Sequence, residues 1–553
     1  MKKLLLAGVA LLATAPLYAR GVAVSADPRA TAAGQAMLDK GGSAADAAMA
    51  MMLALTVVEP QSSGIGGGGL LVYYDAKTGT TSTIDGREAA PKAATVARFL
   101  SADGRPMPFV QAFPGGKSVG IPGNVSLLAE THKRWGKLAW ARLFDPAIGL
   151  AGHYQVSRRM AGILSPTAPF MKDFPGATAL FWEGGKPKPM GSYVDNPALV
   201  ATFRTLQAKG AAAFYTGPVA RAIVTTVRTA PHNPSDMTVA DLAAYRARER
   251  APVCMNYRVY RLCTMGPPSG GGFTVLQTLG LLERFDMAKL GKDSPVAWHL
   301  IGEAMQLAYA DREKWAGDAD FVSVPVAGLL DPAYVRSRSA LIREDASLPA
   351  YTAGTPPGAP VRAAAISGEK TGTTHFVAVD DAGNVASMTS TVESGFGSQL
   401  VSGGFVLNNE LTDFSFAPTD ASGAPMANAV AGGKRPVSSM APVIVFKGGK
   451  PVLALGSAGG KRIPSHVIKT LVAWLDWGLP AEAAMAQPNL YFSGKALLVE
   501  ENTPVAAMAG RIAALGQTTL PSDLTSKLTA VERTPTGWRA AIDPRIGFGS
   551  LIE

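Results

Sequence analysis

Residues 373–393 read TTHFVAVDDAGNVASMTSTVE, two runs rich in β-branched residues joined by an Asp/Gly/Asn turn. The pattern predicts strands over Thr373–Val379 and Val385–Val392 that pair as a hairpin. If the turn is symmetric, Thr373 and Thr391 lie opposite each other with their side chains on one face of the sheet. Two facing threonines are commonly no more than good strand formers.

A second interpretation gives Thr373 a chemical role. Gly372 precedes it, at the end of the polar stretch Ser367–Gly372. A threonine hydroxyl is a weak nucleophile that needs an adjacent base. Cleavage of the chain before Thr373 would free an α-amino group with an unperturbed pKa near ~7.7–8.0. Thr391 would then hydrogen-bond the Thr373 hydroxyl and orient it. The residues permit this cut but do not establish it.

Several further segments occur in a fixed order around the hairpin, and together they resemble the γ-glutamyltranspeptidase (glutathione hydrolase) family. The combination is specific, although each segment alone is a weak signal. The resemblance covers nearly the whole chain after the N-terminal signal peptide. The segments are PQSSGIGGGG (60–69), DGREAAPKAA (85–94), TGTTHFVAVDDAGNVASMTSTVESGFGS (371–398), GGFVLNNELTDFSF (403–416), KRPVSSMAP (434–442) and LGSAGGKRI (455–463).

The resemblance implies an α+β fold, the four-layer αββα sandwich of N-terminal-nucleophile hydrolases, made as one precursor that cuts itself. By the match to TTHF, the cut falls between Gly372 and Thr373. With a signal peptide over residues 1–19, this gives a large subunit of residues 20–372 and a small catalytic subunit of residues 373–553. The two subunits would form a heterodimer that shares sheets and core, so they are not independent domains.

The resemblance also assigns the groups that carry the reaction. Thr373 is the nucleophile, and Thr391 occupies the position of a threonine that supports it. Gly459 and Gly460 match the backbone N–H donors of an oxyanion hole. A loop without Cβ atoms lets amides approach the developing charge, and one such donor is worth ~2.7–4 kcal/mol.

The amino-acid end of the substrate would be held by a second group of residues. Arg87 matches the residue that grips the α-carboxylate, which suits a guanidinium fork. Ser438 and Ser439 match a pair that hydrogen-bonds the same carboxylate. Glu410 and Asp413 match the acids that hold the α-ammonium group. Outside the motifs, all five would be ordinary surface or loop residues.

Two features depart from many members of the family. Glu393 stands where they have Asn, two residues after the supporting threonine. By strand alternation it lies on the same face as Thr391 and lines the pocket beside Glu410 and Asp413. The stretch 413–438, which often forms a lid, is short, so we expect an open pocket and hydrolysis favoured over transfer.

Composition and the N-terminus bound the class of protein. The chain has 553 residues, 47% hydrophobic and 17% charged, which excludes a disordered protein. The formal charge of +10 is spread without a basic cluster, which argues against a nucleic-acid binder. Lys2 and Lys3 followed by the apolar run Leu4–Ala13 predict a signal peptide ending near Ala19. We therefore expect a periplasmic or secreted protein with no membrane span.

The cysteines and histidines suggest no bound cofactor. Cys254 and Cys263 flank an extended segment, and an oxidising compartment permits a disulfide, with two buried free thiols as the alternative. The six histidines show no metal-ligand spacing, so we expect neither a metal nor another cofactor.

Three functions remain open at this point. The first is a γ-glutamyl hydrolase and transferase acting on glutathione or other small γ-glutamyl compounds. The second is a family relative that removes glutaryl or adipyl side chains from cephalosporins. The third is an inactive envelope protein that keeps the fold as a binding scaffold, against which the intact Thr373, Thr391, Gly459 and Gly460 argue.

Overall fold

A computed structural model describes residues 21–362, 372–494 and 496–547. The predicted signal peptide over residues 1–19 and most of the polar stretch before Gly372 lie outside the described residues. None of the described helices is both long and apolar enough to cross a membrane.

The strands in chain order are β1 Val22–Ser25, β2 Gly68–Asp75, β3 Thr80–Gly86, β4 Tyr154–Gln155, β5 Trp182–Glu183, β6 Lys186–Pro187, β7 Tyr193–Val194, β8 Arg248–Arg250, β9 Val253–Tyr257, β10 Tyr260–Thr264, β11 Gly372–Val379, β12 Val385–Glu393, β13 Val401–Ser402, β14 Phe405–Val406, β15 Val443–Lys447, β16 Lys450–Gly456, β17 Leu490–Phe492, β18 Leu497–Glu500, β19 Thr519–Ser522, β20 Thr529–Thr534 and β21 Gly537–Ile542.

The α-helices are α1 Pro28–Asp39, α2 Ala44–Val58, α3 Phe109–Ala112, α4 Asn124–Trp135, α5 Asp145–Gly152, α6 Arg158–Met171, α7 Pro175–Phe181, α8 Pro197–Lys209, α9 Ala212–Thr216, α10 Pro218–Arg228, α11 Val239–Ala244, α12 Gly271–Leu282, α13 Met287–Leu290, α14 Pro295–Trp315, α15 Val326–Leu329, α16 Pro332–Ser339, α17 Ile463–Leu475, α18 Ala481–Ala486, α19 Pro504–Ala507 and α20 Ala509–Ala513.

Two antiparallel sheets form the centre of the described chain. The first sheet has the strand order β1-β11-β12-β2-β3-β8, and the second has the order β21-β20-β16-β15-β10-β9. The hairpin β11–β12 therefore lies inside the first sheet, between strands that come from the first 75 residues of the chain. Both sheets mix strands from either side of Gly372.

Alternation along the first sheet builds two cores. Leu71 and Phe376 face helices α1 and α2, whereas Leu70 and Val377 face the second sheet. The far side of the second sheet is covered by α12, α14 and α17. The chain thus forms the four-layer αββα sandwich, and the N-terminal-nucleophile hydrolase fold expected from the sequence is confirmed.

Local sequence signals account for helix α2 and for the predicted hairpin. Ser43 caps α2 by accepting a hydrogen bond from Asp46 N, and Asp46 accepts in return from Ser43 N, which is the capping-box arrangement. Every residue of α2 is buried, and all of them except Asp46 and Thr56 are apolar. The hairpin strands are also those predicted, with Thr373 opposite Thr391.

A disulfide joins Cys254 to Cys263. The two residues are direct partners in the β9–β10 pairing, with Cα atoms 4.1 Å apart. Of the two alternatives left open by the sequence, the structure has the disulfide.

Candidate active site

Thr373 and Thr391 form a hydrogen-bonded chain with the carbonyl of Gly372. Thr373 Oγ1 donates to Thr391 Oγ1 at 3.2 Å, and Thr391 Oγ1 donates to Gly372 O at 2.7 Å. The amide of Glu393 donates to Thr391 Oγ1 at 2.9 Å and fixes the hydroxyl between them. Thr391 thus polarises the carbonyl of the Gly372–Thr373 peptide bond and orients the neighbouring Thr373 hydroxyl by accepting its hydrogen bond.

The backbone around this bond allows little variation. A Cβ on Gly372 would collide with the carbonyl oxygen of Glu393, so only glycine fits before Thr373. The β11–β12 register shifts between Gly372 and Thr373, and Glu393 has a φ of 79°, in the left-handed region. This left-handed conformation coincides with the end of β12 at Glu393, whose amide donates to Thr391 Oγ1.

The side chain of Thr374 faces the opposite side of the sheet. Its hydroxyl donates to Glu59 Oε2 at 2.6 Å, and Arg159 lies 2.6 Å from the other Glu59 oxygen. Glu59 is the residue that ends helix α2. The first residues of β11 are therefore tied to the helix layer, while Thr373 points between the sheets.

The Gly-rich loop after β16 has the conformation that its glycines permit. Gly459 has a φ of 136° and Gly460 a φ of 56°, both in the region that favours glycine, and α17 begins three residues later at Ile463. Ser457 Oγ and His466 Nδ1 lie 3.0 Å apart and brace the loop against α17. Burial lowers the pKa of His466 well below its usual value, so the ring is neutral.

Two contacts place this loop at the threonine end of the sheets. The imidazole of His375, two residues after Thr373, packs against Gly456, where a Cβ would collide with it. Burial lowers the pKa of His375 to about 3, so it is a neutral packing group. Ala458 N donates to Lys527 O at 3.2 Å, and Lys527 Nζ donates to Ser62 Oγ at 3.3 Å.

Arg87 lies in a buried cluster with two of the predicted acids. Its Nη1 donates to Glu410 Oε1, and its Nη2 donates to Asp413 Oδ2 at 2.5 Å. The three side chains are each no more than 2% exposed. Burial raises the pKa of Glu410, and the Arg87 guanidinium opposes that rise. The structure brings together one cation and two acids that the sequence assigned to the two ends of an amino acid.

The serine pair belongs to the segment that wraps around Arg87. The carbonyls of Pro436 and Val437 accept from Arg87 Nε at 3.2 Å and from Nη2 at 2.8 Å. Ser438 and Ser439 follow directly, and both are buried. Ser439 Oγ accepts from Arg312 Nη2 at 2.6 Å, a contact that sequence reasoning did not anticipate because Arg312 lies far away on α14.

Glu393 is placed differently from the prediction. Because its φ is positive, regular strand alternation does not set its side-chain direction. Its carboxylate accepts from Ser394 Oγ at 2.5 Å and from Asn409 Nδ2 at 2.9 Å. Asn409 directly precedes Glu410, so Glu393 is linked to the acidic pair through the backbone of the 409–410 segment.

The short stretch between Asp413 and Ser438 folds back on itself. Asn428 Nδ2 donates to Asp413 O at 2.7 Å, and Asn428 Oδ1 accepts from Val437 N at 3.1 Å. The site is not open to solvent in the uncleaved chain, since Thr373 is 3% exposed. The expectation of an open pocket does not describe this form of the protein.

Glu88 is a buried member of the site that sequence reasoning missed. It follows Arg87 in the quoted DGRE segment, and its side chain is fully buried. The only signal in the sequence was its position beside a predicted ligand-binding arginine.

No group of three or more His, Cys, Asp or Glu in the described part of the chain is arranged to hold a metal ion.

A family model described as Gamma-glutamyltranspeptidase matches residues 30–550 of the chain. Among curated proteins, the chain is 37% identical over 484 residues to "Glutathione hydrolase proenzyme" of Bacillus subtilis, covering 85% of this chain and 80% of that one. It is 33% identical over 549 residues to "Acylase ACY 1 proenzyme" of a Pseudomonas species, covering 97% and 95%.

The fold is also matched by solved structures. A cephalosporin acylase from Bacillus halodurans superimposes with a TM-score of 0.82 at 26% identity, over 96% of this chain and 95% of that one. The relatives thus include both glutathione hydrolases and acylases.

We expect Thr391→Ala to slow breakage of the Gly372–Thr373 bond and later turnover by roughly ten-fold, because a hydrogen bond is worth ~0.5–1.5 kcal/mol and ~1.4 kcal/mol is one decade in rate. Thr391→Ser keeps the hydroxyl and should recover most of the loss. Band intensities on denaturing gels over time measure the first rate. Unchanged cleavage in Thr391→Ala would contradict the role of the hydroxyl.

We expect Gly459→Ala to lower kcat by about a hundred-fold, in the range for loss of one oxyanion donor. The new Cβ would lie 3.0 Å from His466 Cε1 at a φ of 136°, so the loop must shift. Gly449→Ala is the matched control, because Gly449 has a φ of 78° and open space around it. An equal loss of kcat in Gly459→Ala and Gly449→Ala would contradict the oxyanion role of the loop, because the strain of alanine at a positive φ would then explain the loss by itself.

Proposed function

The chain belongs to the γ-glutamyltranspeptidase family, and we propose that it is a γ-glutamyl hydrolase and transferase that works through a γ-glutamyl ester on Thr373. The observation that carries the proposal is the buried cluster of Arg87 with Glu410 and Asp413. A free α-amino acid end has one carboxylate and one ammonium group, and the cluster offers one cation and two acids for exchange with them. Glutathione and other small γ-glutamyl compounds have such an end.

The first reaction is cleavage of the chain itself. Thr373 Oγ1 attacks the carbonyl carbon of Gly372, its proton passes to the departing Thr373 nitrogen, and an ester between Gly372 and the Thr373 hydroxyl results. Water then hydrolyses the ester and leaves Thr373 with a free α-amino group. Thr391 supports the step because its hydroxyl already donates to the oxygen that becomes negative.

Substrate turnover repeats this chemistry on a γ-glutamyl amide. The freed α-amino group of Thr373 accepts the proton of the Thr373 hydroxyl, which attacks the γ-carbonyl carbon. We assign stabilisation of the developing oxyanion to the backbone N–H groups of Gly459 and Gly460, in the loop after β16. The amine leaves with the proton, and water or the amino group of a second amino acid or peptide then takes the γ-glutamyl group from Thr373.

The products of cleavage are a large subunit of residues 20–372 and a small subunit of residues 373–553, joined as a heterodimer. Each central sheet contains strands from both parts, and in the first sheet β11 and β12 lie between β1 and β2, which supports lasting association after cleavage. The N-terminal sequence and the Cys254–Cys263 disulfide support export to the periplasm or the medium.

A second candidate is an acylase that removes glutaryl or adipyl groups from cephalosporins. The two relatives named as acylases match 97% and 96% of this chain, whereas the glutathione hydrolase of Bacillus subtilis matches 85%. The chemistry at Thr373 would be the same. A glutaryl group has no ammonium, however, so it offers no cation that could take the place of Arg87 beside Glu410 and Asp413.

We expect the purified protein to run as two bands on a denaturing gel, with the smaller band beginning at Thr373 on N-terminal sequencing. Thr373→Ala should remain one chain and have no activity, because the variant lacks both the attacking hydroxyl and the later nucleophile. A fully active single band would overturn the mechanism, and an uncut inactive wild type would favour the binding-scaffold alternative.

We expect γ-glutamyl-p-nitroanilide to be favoured over glutaryl-7-aminocephalosporanic acid in kcat/KM. A hydrogen bond to a charged group is worth ~1.5–3 kcal/mol, or roughly ten- to a hundred-fold. Asp413→Asn should narrow this preference by weakening the first substrate. Glu393→Gln should narrow this preference less, since the Glu393 carboxylate accepts a hydrogen bond from Asn409, the residue before Glu410.

Both substrates must be measured on the wild type and on both variants. Equal or reversed preference in the wild type would favour the acylase function. Unchanged preference in Glu393→Gln, with a narrowed one in Asp413→Asn, would show that Glu393 serves the backbone around Thr391 and not the pocket.

A further inference from the structure

Glu88 is fully buried, and neither of its carboxyl oxygens has a hydrogen-bond donor among the described residues. A buried ionised carboxylate without a donor is strongly unfavourable. The side chain is nevertheless held firmly, because it packs on Gly68, where any Cβ would collide with Oε2. Gly68 is the direct partner of Thr391 in the first sheet, so Glu88 lies between the acidic cluster and the threonine pair.

Three ionisable groups surround the Glu88 carboxyl. Arg87 Nη1 lies 4.0 Å from Oε2, which is beyond hydrogen-bond distance. Glu410, on the 3₁₀ turn after β14, contacts the same Arg87 Nη1, and neither its Oε2 nor either carboxyl oxygen of Glu88 has a hydrogen-bond partner among the described residues. Tyr245, which directly follows helix α11, donates a hydrogen bond from its hydroxyl to Arg87 O. Burial raises the pKa of Tyr245, and the charge of Glu88 contributes to that rise.

Two carboxyl groups in contact form a hydrogen bond only if one of them carries a proton. Arg87 contacts Glu410 directly and favours its ionised form, whereas Glu88 has only the more distant interaction. Burial and the charge of Glu410 both raise the pKa of Glu88 well above its ordinary value. The position of the arginine therefore assigns the proton to Glu88 and the negative charge to Glu410.

We propose that Glu88 is a positioning residue that stays a neutral carboxylic acid and donates a hydrogen bond to Glu410. The pocket then presents two negative charges, on Glu410 and Asp413, to the α-ammonium group of the donor, instead of three. The bond also orients the Glu410 carboxylate toward Arg87 and the incoming ammonium. The part of this inference that concerns the donor rests on the proposed function.

Two variants distinguish the hydrogen bond that Glu88 donates from the negative charge of its ionised form and from the shape of its side chain. Glu88→Met fills similar space without a donor, and we expect it to raise KM for γ-glutamyl-p-nitroanilide about ten- to a hundred-fold with little change in kcat. Glu88→Gln keeps a neutral N–H donor toward Glu410 and should rescue most of that loss. Equal losses in both variants would mean that the ionised form is needed, and no loss in either would mean that Glu88 has no role. Each of these two results overturns the proposal.

Infrared spectroscopy tests the protonation state without any reliance on activity. At pH 7 the wild type should show the C=O stretch of a buried protonated carboxyl, and the difference spectrum against Glu88→Gln should show its loss. An unchanged band would overturn the proposal even if the enzyme is fully active. If the wild type does not cleave γ-glutamyl compounds, the proposed function fails, while the infrared spectra still decide whether Glu88 is neutral.

Discussion

The hydrogen bond from Thr391 Oγ1 to the carbonyl oxygen of Gly372 is the constraint around which the centre of the molecule is arranged. It depends on the direct pairing of the two threonines in the hairpin, on a glycine at position 372, where the carbonyl of Glu393 approaches, and on the Glu393 amide that fixes the Thr391 hydroxyl. Gly67, directly before β2, allows the same close approach, because a Cβ there would collide with Thr391 O. The density of glycines around this hairpin follows from close backbone approach on both sides.

Local patterns were sufficient for the elements that build this centre. Counting residues outward from the turn between β11 and β12 is enough to predict the register of the two strands, and the structure has the predicted pairing. Helix α2 could be placed from its cap and its apolar run, since both signals lie within a few residues of each other. The four-layer architecture came from the family resemblance and not from such patterns, because strand order in a sheet of distant segments is not a local property.

The site shows where sequence reasoning stops. Arg87 is 323 residues from Glu410 and 326 from Asp413, so their contact depends on the complete fold. The resemblance named these residues but implied that Arg87 binds one end of the substrate and the two acids bind the other, whereas in the uncleaved chain Arg87 binds both acids. Alternation failed at Glu393 because the backbone leaves the β region there. Glu88 was overlooked because its unusual property, a raised pKa, comes from burial. That burial is produced by Gly68 and Gly120, which pack against Glu88 from other segments of the chain.

The interleaved strand order has a consequence for folding. In the intact chain, β1 and β2 find β11 and β12 as parts of one polymer, so the loops between them limit the entropy lost on pairing. Once the chain is cut, the same pairing joins two separate molecules, and its rate depends on concentration. The fold is therefore assembled once, as a single chain, and the cut form is held by the barrier to unfolding more than by a reversible equilibrium. A denatured sample of the two fragments faces a bimolecular search, with unpaired strand edges exposed on both partners.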